Sequence, residues 1–336
     1  MSLSCRNCGC WPRRSCRRSA RTEGGRPPPL IGERKSERPF AEGNMKISVI
    51  TDEISADPET AIELGVEWGV REFELRGFGT DRVPRLSAYQ KQRLRDILEM
   101  YQAHIIALSP GVFKLAYPPK RPPWTTLGWM DRAGYESWAE AQRLVRHHLD
   151  ELLPASLDYA SEMGVRTVVI FSFDRAGAPP GQPPEEVLNA LRLAAERAGA
   201  AGIQLAIETE DGFWADTGAH TAQIVRAINH PALGVNWDPG NAFFAGDTPY
   251  PAGYKAVRGL VRHVHFKDAL RDAAGRPHYV AEGQIDWAGQ IKALAADGYN
   301  GYISIETHIR PKVAAARAAL ERLRRLIAAT QAGHNG

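Results

Sequence analysis

The segment RAGAAGIQLAIE, residues 197–208, joins the end of a helix, a glycine turn and a short apolar run that ends in glutamate. Glycine is favoured just past a helix C-terminus, and a short apolar run between helices is typical of a buried parallel strand. The same order recurs in ELGVEWGVREFEL (63–75), SEMGVRTVVIF (161–171) and ADGYNGYISIE (296–306). This repetition predicts an α/β protein in which helices alternate with parallel strands.

Strand-like runs of this kind occur eight times after Met45. They are residues 46–51, 71–76, 104–109, 166–173, 203–208, 233–237, 261–266 and 301–306. Eight such units in about 285 residues favour a closed (β/α)₈ TIM barrel over an open doubly wound sheet. The run after the first strand, TDEISADP, also lacks the glycine-rich fingerprint of a dinucleotide-binding fold.

Composition divides the chain into three parts. We expect one barrel domain at residues 45–330, after a disordered basic extension at 1–44 and before a short C-terminal tail at 331–336. The extension holds ten Arg/Lys, four Glu and all four cysteines, without apolar periodicity. Its cysteine spacing, C-x₂-C-x-C-x₅-C, lacks the second pair of common zinc folds, so a small zinc site is only the alternative to disorder.

Charge and cysteine usage narrow the function classes. The extension has a balance of +6, which leaves −3 for the remainder, so the net charge of +3 is no argument for nucleic-acid binding by the fold. The sequence contains no run of eighteen apolar residues, so it predicts no membrane-spanning helix. Because the remainder contains no cysteine, it fits a reducing compartment, and we expect a cytoplasmic location.

Ligand-type residues end four consecutive strands. In a TIM barrel the chemistry lies at the C-terminal ends of the strands. A carboxylate after an apolar run is costly to bury unless it is paired or bound to a metal, although a single one often caps the next helix. The strand ends are LAIETED with Glu208 and Glu210, VNWDPGN with Asp238, HVHFKD with His263, His265 and Lys267, and ISIETH with Glu306 and His308. Three carboxylates and one imidazole indicate a site for Mn²⁺, Mg²⁺ or Co²⁺.

From Met45 to about Ala328 the chain resembles the xylose isomerase-like TIM barrel superfamily, in its sugar phosphate isomerase/epimerase branch. The resemblance rests on the strand-end motifs above, on EGQIDW at 282–287 and on GYNGYISIE at 298–306. It implies one divalent metal ion, with Mn²⁺ expected and Mg²⁺, Co²⁺ or Zn²⁺ as alternatives. The implied ligands are Glu208, Asp238, His265 and Glu306. The two glutamates are also implied to act as catalytic base and acid on opposite faces of the substrate.

The resemblance implies an isomerase or epimerase that acts on a small sugar, keto-sugar or polyol through an enediolate intermediate. A lyase or dehydratase on a keto-sugar or inosose, and a non-catalytic sugar-binding barrel, remain alternatives. A homo-oligomer would fit the same family. The chain departs from ketose 3-epimerases, which carry His where Asn241 stands and a second Glu where Trp214 stands. It also lacks the additional histidines that the three-metal endonuclease branch carries at other strand ends.

Several other polar residues near the strand ends are candidate substrate contacts. They are Lys267, Glu210, Asn241, His308, Arg310 and Glu74. An ion pair with Asp268 or Glu282 is the alternative for Lys267, and Glu74 could instead pair with Arg76. His263 is expected to be a packed neighbour of the site rather than a ligand.

The longest irregular stretch, residues 110–135, separates the third and fourth strands. A long loop in a compact domain is usually functional or disordered. Trp124 and Trp129 favour an ordered lid over the barrel mouth that could cover a sugar face. A surface excursion or an oligomer contact is the alternative.

Overall fold

A computed structural model describes residues 45–118 and 137–332 of the chain. Eight parallel strands form a closed barrel in which each strand pairs with its neighbours in sequence and the last closes on the first. The strands are β1 (Lys46–Ile50), β2 (Glu72–Leu75), β3 (His104–Leu108), β4 (Thr167–Ile170), β5 (Gln204–Glu208), β6 (Leu233–Trp237), β7 (Val261–Phe266) and β8 (Tyr302–Ile305). The expected (β/α)₈ barrel is confirmed.

Helices follow the strands and cover the outside of the barrel. They are α1 (Pro58–Glu67), α2 (Ala88–Tyr101), α3 (Trp138–His147), α4 (Leu153–Met163), α5 (Glu185–Ala200), α6 (Gly218–Ile228), α7 (Pro239–Phe244), α8 (Tyr254–Val257), α9 (Trp287–Ala296) and α10 (Lys312–Ala332). A wider helical turn at His148–Leu152 joins α3 to α4. None of the helices in the described part combines the length and hydropathy of a membrane-spanning segment.

The barrel closes through regular parallel pairing. Val49 of β1 lies opposite Ile305 of β8 on one side and Phe73 of β2 on the other. All three side chains are inaccessible to solvent. Burial of such apolar surface is the main favourable term in folding. The pairing therefore fixes the strand ends that carry the polar residues at one mouth of the barrel.

The fourth strand is shorter than the sequence pattern indicates. The expected run was 166–173, but the ladder ends at Ile170. The Phe171 amide then donates to Val112 O at 2.9 Å, and Phe173 adopts a left-handed backbone with φ of 67°. Phe171 and Phe173 therefore leave the barrel ladder and support the loop that follows β3.

Two short antiparallel ribbons lie beyond the strand ends. One pairs Gly77–Phe78 with Asp81–Arg82 after β2. The other pairs Asp268–Arg271 with Pro277–Val280 after β7. The second ribbon brings Tyr279 close to the mouth of the barrel, where its ring faces the Lys267 ammonium at 5.6 Å.

Some of the expected segments are only partly described. Residues 110–118 pack inward, and Phe113 stacks on Phe173 with ring centroids 4.7 Å apart. Trp124 and Trp129, on which the lid hypothesis rests, lie outside the described residues, as does the basic extension. The last helix runs to Ala332, two residues beyond the expected limit of the domain.

Candidate metal centre

Four donor side chains from four consecutive strand ends meet at the mouth of the barrel. They are Glu208, Asp238, His265 and Glu306, and one ligand atom from each lies within 4.8 Å of the others. His265 Nδ1 is 3.0 Å from Glu306 Oε2, 3.4 Å from Glu208 Oε1 and 3.6 Å from Asp238 Oδ2. All four side chains are buried. The structure thus brings together the four residues that the sequence analysis proposed as ligands.

Two oxygens in this cluster support a bound cation. Asp238 Oδ2 and Glu306 Oε2 are buried and accept no hydrogen bond from the described residues. The Lys267 ammonium approaches them to 2.7 and 2.5 Å, but not along a hydrogen-bonding direction. Buried carboxylate oxygens are costly unless they are paired or metal-bound. In this structure Lys267 is the ion-pair partner of both oxygens, which together with the facing imidazole nitrogen are suitable ligands for a divalent ion.

Asp238 is held in place by the helix that it begins. Its Oδ1 accepts the Asn241 amide at 2.9 Å, which makes it the N-cap of α7, and Pro239 occupies the first helical position. Aspartate is a preferred N-cap, and proline is preorganised for that first turn. One carboxylate oxygen is therefore committed to the helix, and the other faces the cluster.

Gly240 leaves room for Lys267 beside this cap. A Cβ atom at Gly240 would lie 2.2 Å from Lys267 Cγ and 3.2 Å from Asp238 Oδ1. The lysine is almost wholly buried. Burial alone would lower the pKa of Lys267, but Asp238 and Glu306 raise it well above its usual value. The side chain is therefore a fixed cation at the centre.

The expected alternative partners of Lys267 do not contact it. Asp268 pairs instead with an arginine of α10 at 2.7 Å. Glu282 is 80% exposed and 4.0 Å from that same arginine. Lys267 instead pairs with Asp238 and Glu306, and its contact with a substrate stays a prediction.

Glu74 lies behind His265 rather than at the mouth. Its two oxygens are each 3.2 Å from His265 Nε2, and one is 2.9 Å from His263 Nε2. Ser109 donates to the same carboxylate, whose side chain is closed to solvent. Burial would raise the pKa of Glu74, but the two histidines hold it well below its usual value. The expected substrate contact for Glu74 is therefore corrected, because both oxygens are engaged beneath the site.

His263 is a packed neighbour, as the sequence analysis expected. Besides Glu74, its Nε2 lies 3.0 Å from Ser304 Oγ, and its ring meets that of His265 edge to face at 5.4 Å. His263 therefore supports His265 from beneath the four donor side chains. An acidic partner on Nε2 of a metal-binding histidine generally fixes the ring and its tautomer. Glu74 has this position relative to His265, whose Nδ1 faces the carboxylates.

Asn241 connects the cluster to its surroundings. Its side-chain nitrogen, Nδ2, donates to Glu210 Oε2 at 2.9 Å and to Glu208 Oε1 at 3.3 Å. Its oxygen accepts from Tyr279 Oη at 2.8 Å and from Lys267 at 3.3 Å. These contacts orient the side chains on either side of Asn241. The predicted substrate contacts Asn241, Glu210 and Lys267 are therefore neighbours at one edge of the centre.

Two residues at this edge were missed by the sequence analysis. Lys114 lies 3.2 Å from Glu210 Oε1, with its ammonium 4.2 Å from the Phe171 ring centroid. Tyr279 stacks on Phe244 at 4.2 Å. Both residues come from connections between strands, where no periodic pattern marks the direction of a side chain. The only feature of the sequence that could have suggested a site role for Lys114 was its position in the long loop after the third strand.

His308 and Arg310, the remaining candidate contacts, differ in their surroundings. His308 Nε2 lies 3.3 Å from Glu306 Oε1, and its ring is 5.3 Å from that of Tyr279. Arg310 is exposed, and no hydrogen bond or ion pair joins it to the cluster within residues 45–118 and 137–332. A substrate contact by Arg310 stays a prediction.

Arg76 does not pair with Glu74, which was one of the expected alternatives. Its guanidinium donates instead to Asp52 Oδ1 at 2.8 Å, to Glu53 Oε1 at 2.8 Å and to Glu306 Oε1 at 2.5 Å. Asp52 and Glu53 follow β1 in the run TDEIS. They could have been identified as strand-end acids by the same criterion that identified Asp238.

Comparisons with known proteins place this geometry in a family. A family profile described as xylose isomerase-like TIM barrel matches residues 62–326. Comparison with curated protein sequences finds no match. Among solved structures, the chain is similar to an L-ribulose 3-epimerase, with a TM-score of 0.61 and 17% identity over 87% of this chain and 97% of the other.

Two other solved structures are similar in the same way. The probable 3-DHS dehydratase AsbF of Bacillus anthracis has a TM-score of 0.61 and 17% identity, over 83% of this chain and 99% of the other. A xylose isomerase-like TIM barrel protein of Mycobacterium smegmatis in complex with magnesium has a TM-score of 0.59 and 16% identity, over 81% of this chain and 89% of the other. At such identities these likenesses show the fold, whereas the profile match covers most of the chain. The chain therefore belongs to the xylose isomerase-like TIM barrel family.

Proposed function

We propose that this protein is a divalent-metal-dependent isomerase or epimerase of a small sugar, keto-sugar or polyol. The observation that carries the proposal is the convergence of Glu208, Asp238, His265 and Glu306 beside a buried lysine at the barrel mouth. Mn²⁺ is the proposed ion, with Mg²⁺, Co²⁺ or Zn²⁺ as alternatives. The cytoplasmic location and the possible homo-oligomer stay predictions.

A divalent ion at this position supplies Lewis-acid polarisation of a carbonyl and its neighbouring hydroxyl. Glu208 is the carboxylate best placed to take a proton from the adjacent carbon. Its Oε1 accepts only the Asn241 amide at 3.3 Å, and no hydrogen bond reaches its Oε2 from the described residues. A positioned carboxylate of this kind contributes about 10²–10⁴-fold to a proton transfer.

Glu306 is the proposed second proton-transfer group, on the other side of the substrate. Its surroundings differ from those of Glu208, because Oε1 accepts from Arg76 and Oε2 lies 2.5 Å from Lys267. Burial would raise the pKa of Glu306, but these cations hold it well below its usual value. Proton transfer by Glu306 therefore has less geometric support than proton transfer by Glu208.

A lyase or dehydratase on a keto-sugar or inosose is the second candidate. Lys267 favours it, because a fixed ammonium beside the carboxylates could stabilise the negative charge that develops on a departing oxygen as Glu208 removes the proton on the neighbouring carbon. The similarity to a probable dehydratase points the same way. A non-catalytic sugar-binding barrel is less favoured, because it would not require a partner-free carboxylate oxygen at Glu208.

Incubation of the Mn²⁺-loaded protein with ketoses, aldoses and inososes in D₂O separates these candidates. An isomerase or epimerase incorporates deuterium into the substrate carbon and releases a rearranged sugar, both visible by NMR. A lyase releases an unsaturated product. Tight binding of a sugar without exchange or turnover would refute both enzymatic proposals and support the non-catalytic barrel.

The roles of the two carboxylates can be tested with amide variants. Glu208→Gln and Glu306→Gln keep the shape and one coordinating oxygen, so metal binding should persist at raised metal concentration. Turnover should fall about 10²–10⁴-fold in each. Glu282→Gln is the matched control, since this glutamate is 80% exposed, and it should behave as wild type. If both metal-saturated variants turn over within a few-fold of wild type, the glutamates are ligands only.

A further inference from the structure

A second group of donors adjoins the proposed centre on the outer side of Glu306. One ligand atom from each of Glu53, Glu306 and His308 lies within 4.8 Å of the others. His308 Nδ1 is 3.4 Å from Glu53 Oε1, and its Nε2 is 3.3 Å from Glu306 Oε1. Glu306 thus has one oxygen in each donor group, because its Oε2 faces His265 at 3.0 Å. A carboxylate placed in this way can bridge two cations.

The second donor group is rigidly built. Glu53 is buried, and its Oε2 accepts three hydrogen bonds of 3.0 Å, from the Thr307 amide, the Thr307 hydroxyl and the His308 amide. Its Oε1 is left to face Arg76. Two of these donors are backbone amides of the segment after β8, so the carboxylate cannot turn away without breaking them.

Arg76 is the cation that these carboxylates share. Its three donor nitrogens each contact a different acid, namely Asp52, Glu53 and Glu306, at 2.5–2.8 Å. A guanidinium offers a planar fork of donors that fits several carboxylates at once, whereas an ammonium is a point charge. Arg76 is therefore matched to this group in both charge and shape.

We propose that Arg76 is a positioning residue that takes the place of a second metal ion. It holds Glu306 Oε1, so that only Oε2 faces the proposed ion, and its own charge occupies Glu53 and Glu306, the two carboxylates of the second donor group. The centre consequently holds one ion although six ligand-type residues form the two donor groups. This inference rests on the proposed metal-dependent function and adds to it the reason for a mononuclear centre.

The test is the number of Mn²⁺ ions bound per chain, measured by titration calorimetry and elemental analysis of the metal-free protein. Wild type should bind one ion. Arg76→Met removes the charge at similar volume and leaves three carboxylates without their cation, so a second, weaker ion should bind. Adding Glu53→Gln to Arg76→Met should abolish that second event. A purely structural role for Arg76 would change stability but not the number of ions.

Arg76→Lys provides a second route if the methionine variant does not fold. The lysine keeps the charge but cannot reach three acids, so one ion should bind about 10–100-fold more weakly than in wild type. Arg76→Met with one ion at wild-type affinity, or Arg76→Lys with wild-type affinity, would overturn the inference while the proposed function stands. A wild-type protein that binds no Mn²⁺, Mg²⁺, Co²⁺ or Zn²⁺ would overturn both.

Discussion

Asp238 serves the fold and the proposed centre with different oxygens. Oδ1 caps α7 by accepting the Asn241 amide, and Oδ2 lies 3.6 Å from His265 Nδ1 without a hydrogen bond from the described residues. A change of this residue therefore has two separable effects. One falls on the stability of the helix, and the other falls on the affinity for a metal ion.

Replacement of Asp238 by Asn or Ala should separate these effects. Asparagine caps a helix about as well as aspartate, whereas alanine costs about 1 kcal/mol. Both variants lose the buried ion pair with Lys267, so we expect both to be less stable than wild type in the metal-free state, and Asp238→Ala to be less stable than Asp238→Asn by roughly that amount. Both should bind Mn²⁺ far more weakly, because the anionic oxygen is gone. Chemical denaturation and metal titration measure the two quantities, and wild-type Mn²⁺ affinity in Asp238→Asn would contradict the ligand role.

The residues that the sequence predicted share one property. Glu208, Asp238 and Glu306 each follow an apolar run directly, so the pattern gives both their identity and their position at a strand end. The pattern does not show whether a side chain lies at the mouth of the barrel or beneath it. Glu74 lies inside the β2 run EFEL rather than after it, and its side chain lies beneath His265, where it contacts histidines of a strand distant in sequence. Contacts of that kind depend on barrel packing, which no local pattern encodes.

At the scale of elements, the sequence Asp238-Pro239-Gly240 determines where α7 begins. Asp238 caps the helix, Pro239 begins it, and Gly240 lies against Lys267. Only a residue without Cβ allows the lysine to pass at this distance. The element thus determines where the buried cation lies relative to the carboxylates.

Gly240→Ala should consequently disturb the site and the fold together. The new Cβ would lie 2.2 Å from Lys267 Cγ and 2.8 Å from its Cδ, so the lysine must move. Overpacking of this kind costs about 1–3 kcal/mol of unfolding free energy. Gly199→Ala is the matched control in α5, where the new Cβ would meet the edge of the His230 ring at 2.8 Å, away from the centre. Turnover in Gly240→Ala equal to that of the control would show that the position of Lys267 is unimportant.

The elements themselves were predictable to different degrees. The eight strands follow from the recurring glycine and apolar run, and seven of them end within one residue of the expected position. The ribbon Asp268–Arg271 was not predicted, because it follows β7 after Lys267 alone and the sequence reads as one continuous run. Tyr279 was missed for the same reason, since it lies on the partner strand of that ribbon.

At the scale of the whole molecule, closure of the barrel creates the proposed centre. Parallel strands that pair in sequence order bring the ends of β5, β6, β7 and β8 to adjacent positions. Their terminal donors are therefore neighbours although they span about a hundred residues of sequence. The sequence predicts this much because a fold class fixes which strand ends meet. It does not predict how the connections cover the mouth, since loops carry no comparable periodicity.

The most direct measurement is an anomalous-difference map from crystals of the protein grown with Mn²⁺, with data collected at the manganese absorption edge. The map should show one strong peak per chain, in contact with Glu208, Asp238, His265 and Glu306, and no peak between Glu53 and His308. Crystals of the His265→Ala variant should show a much weaker peak or none. Absence of a peak at the four wild-type residues, or a peak held by other side chains alone, would contradict the proposed metal centre.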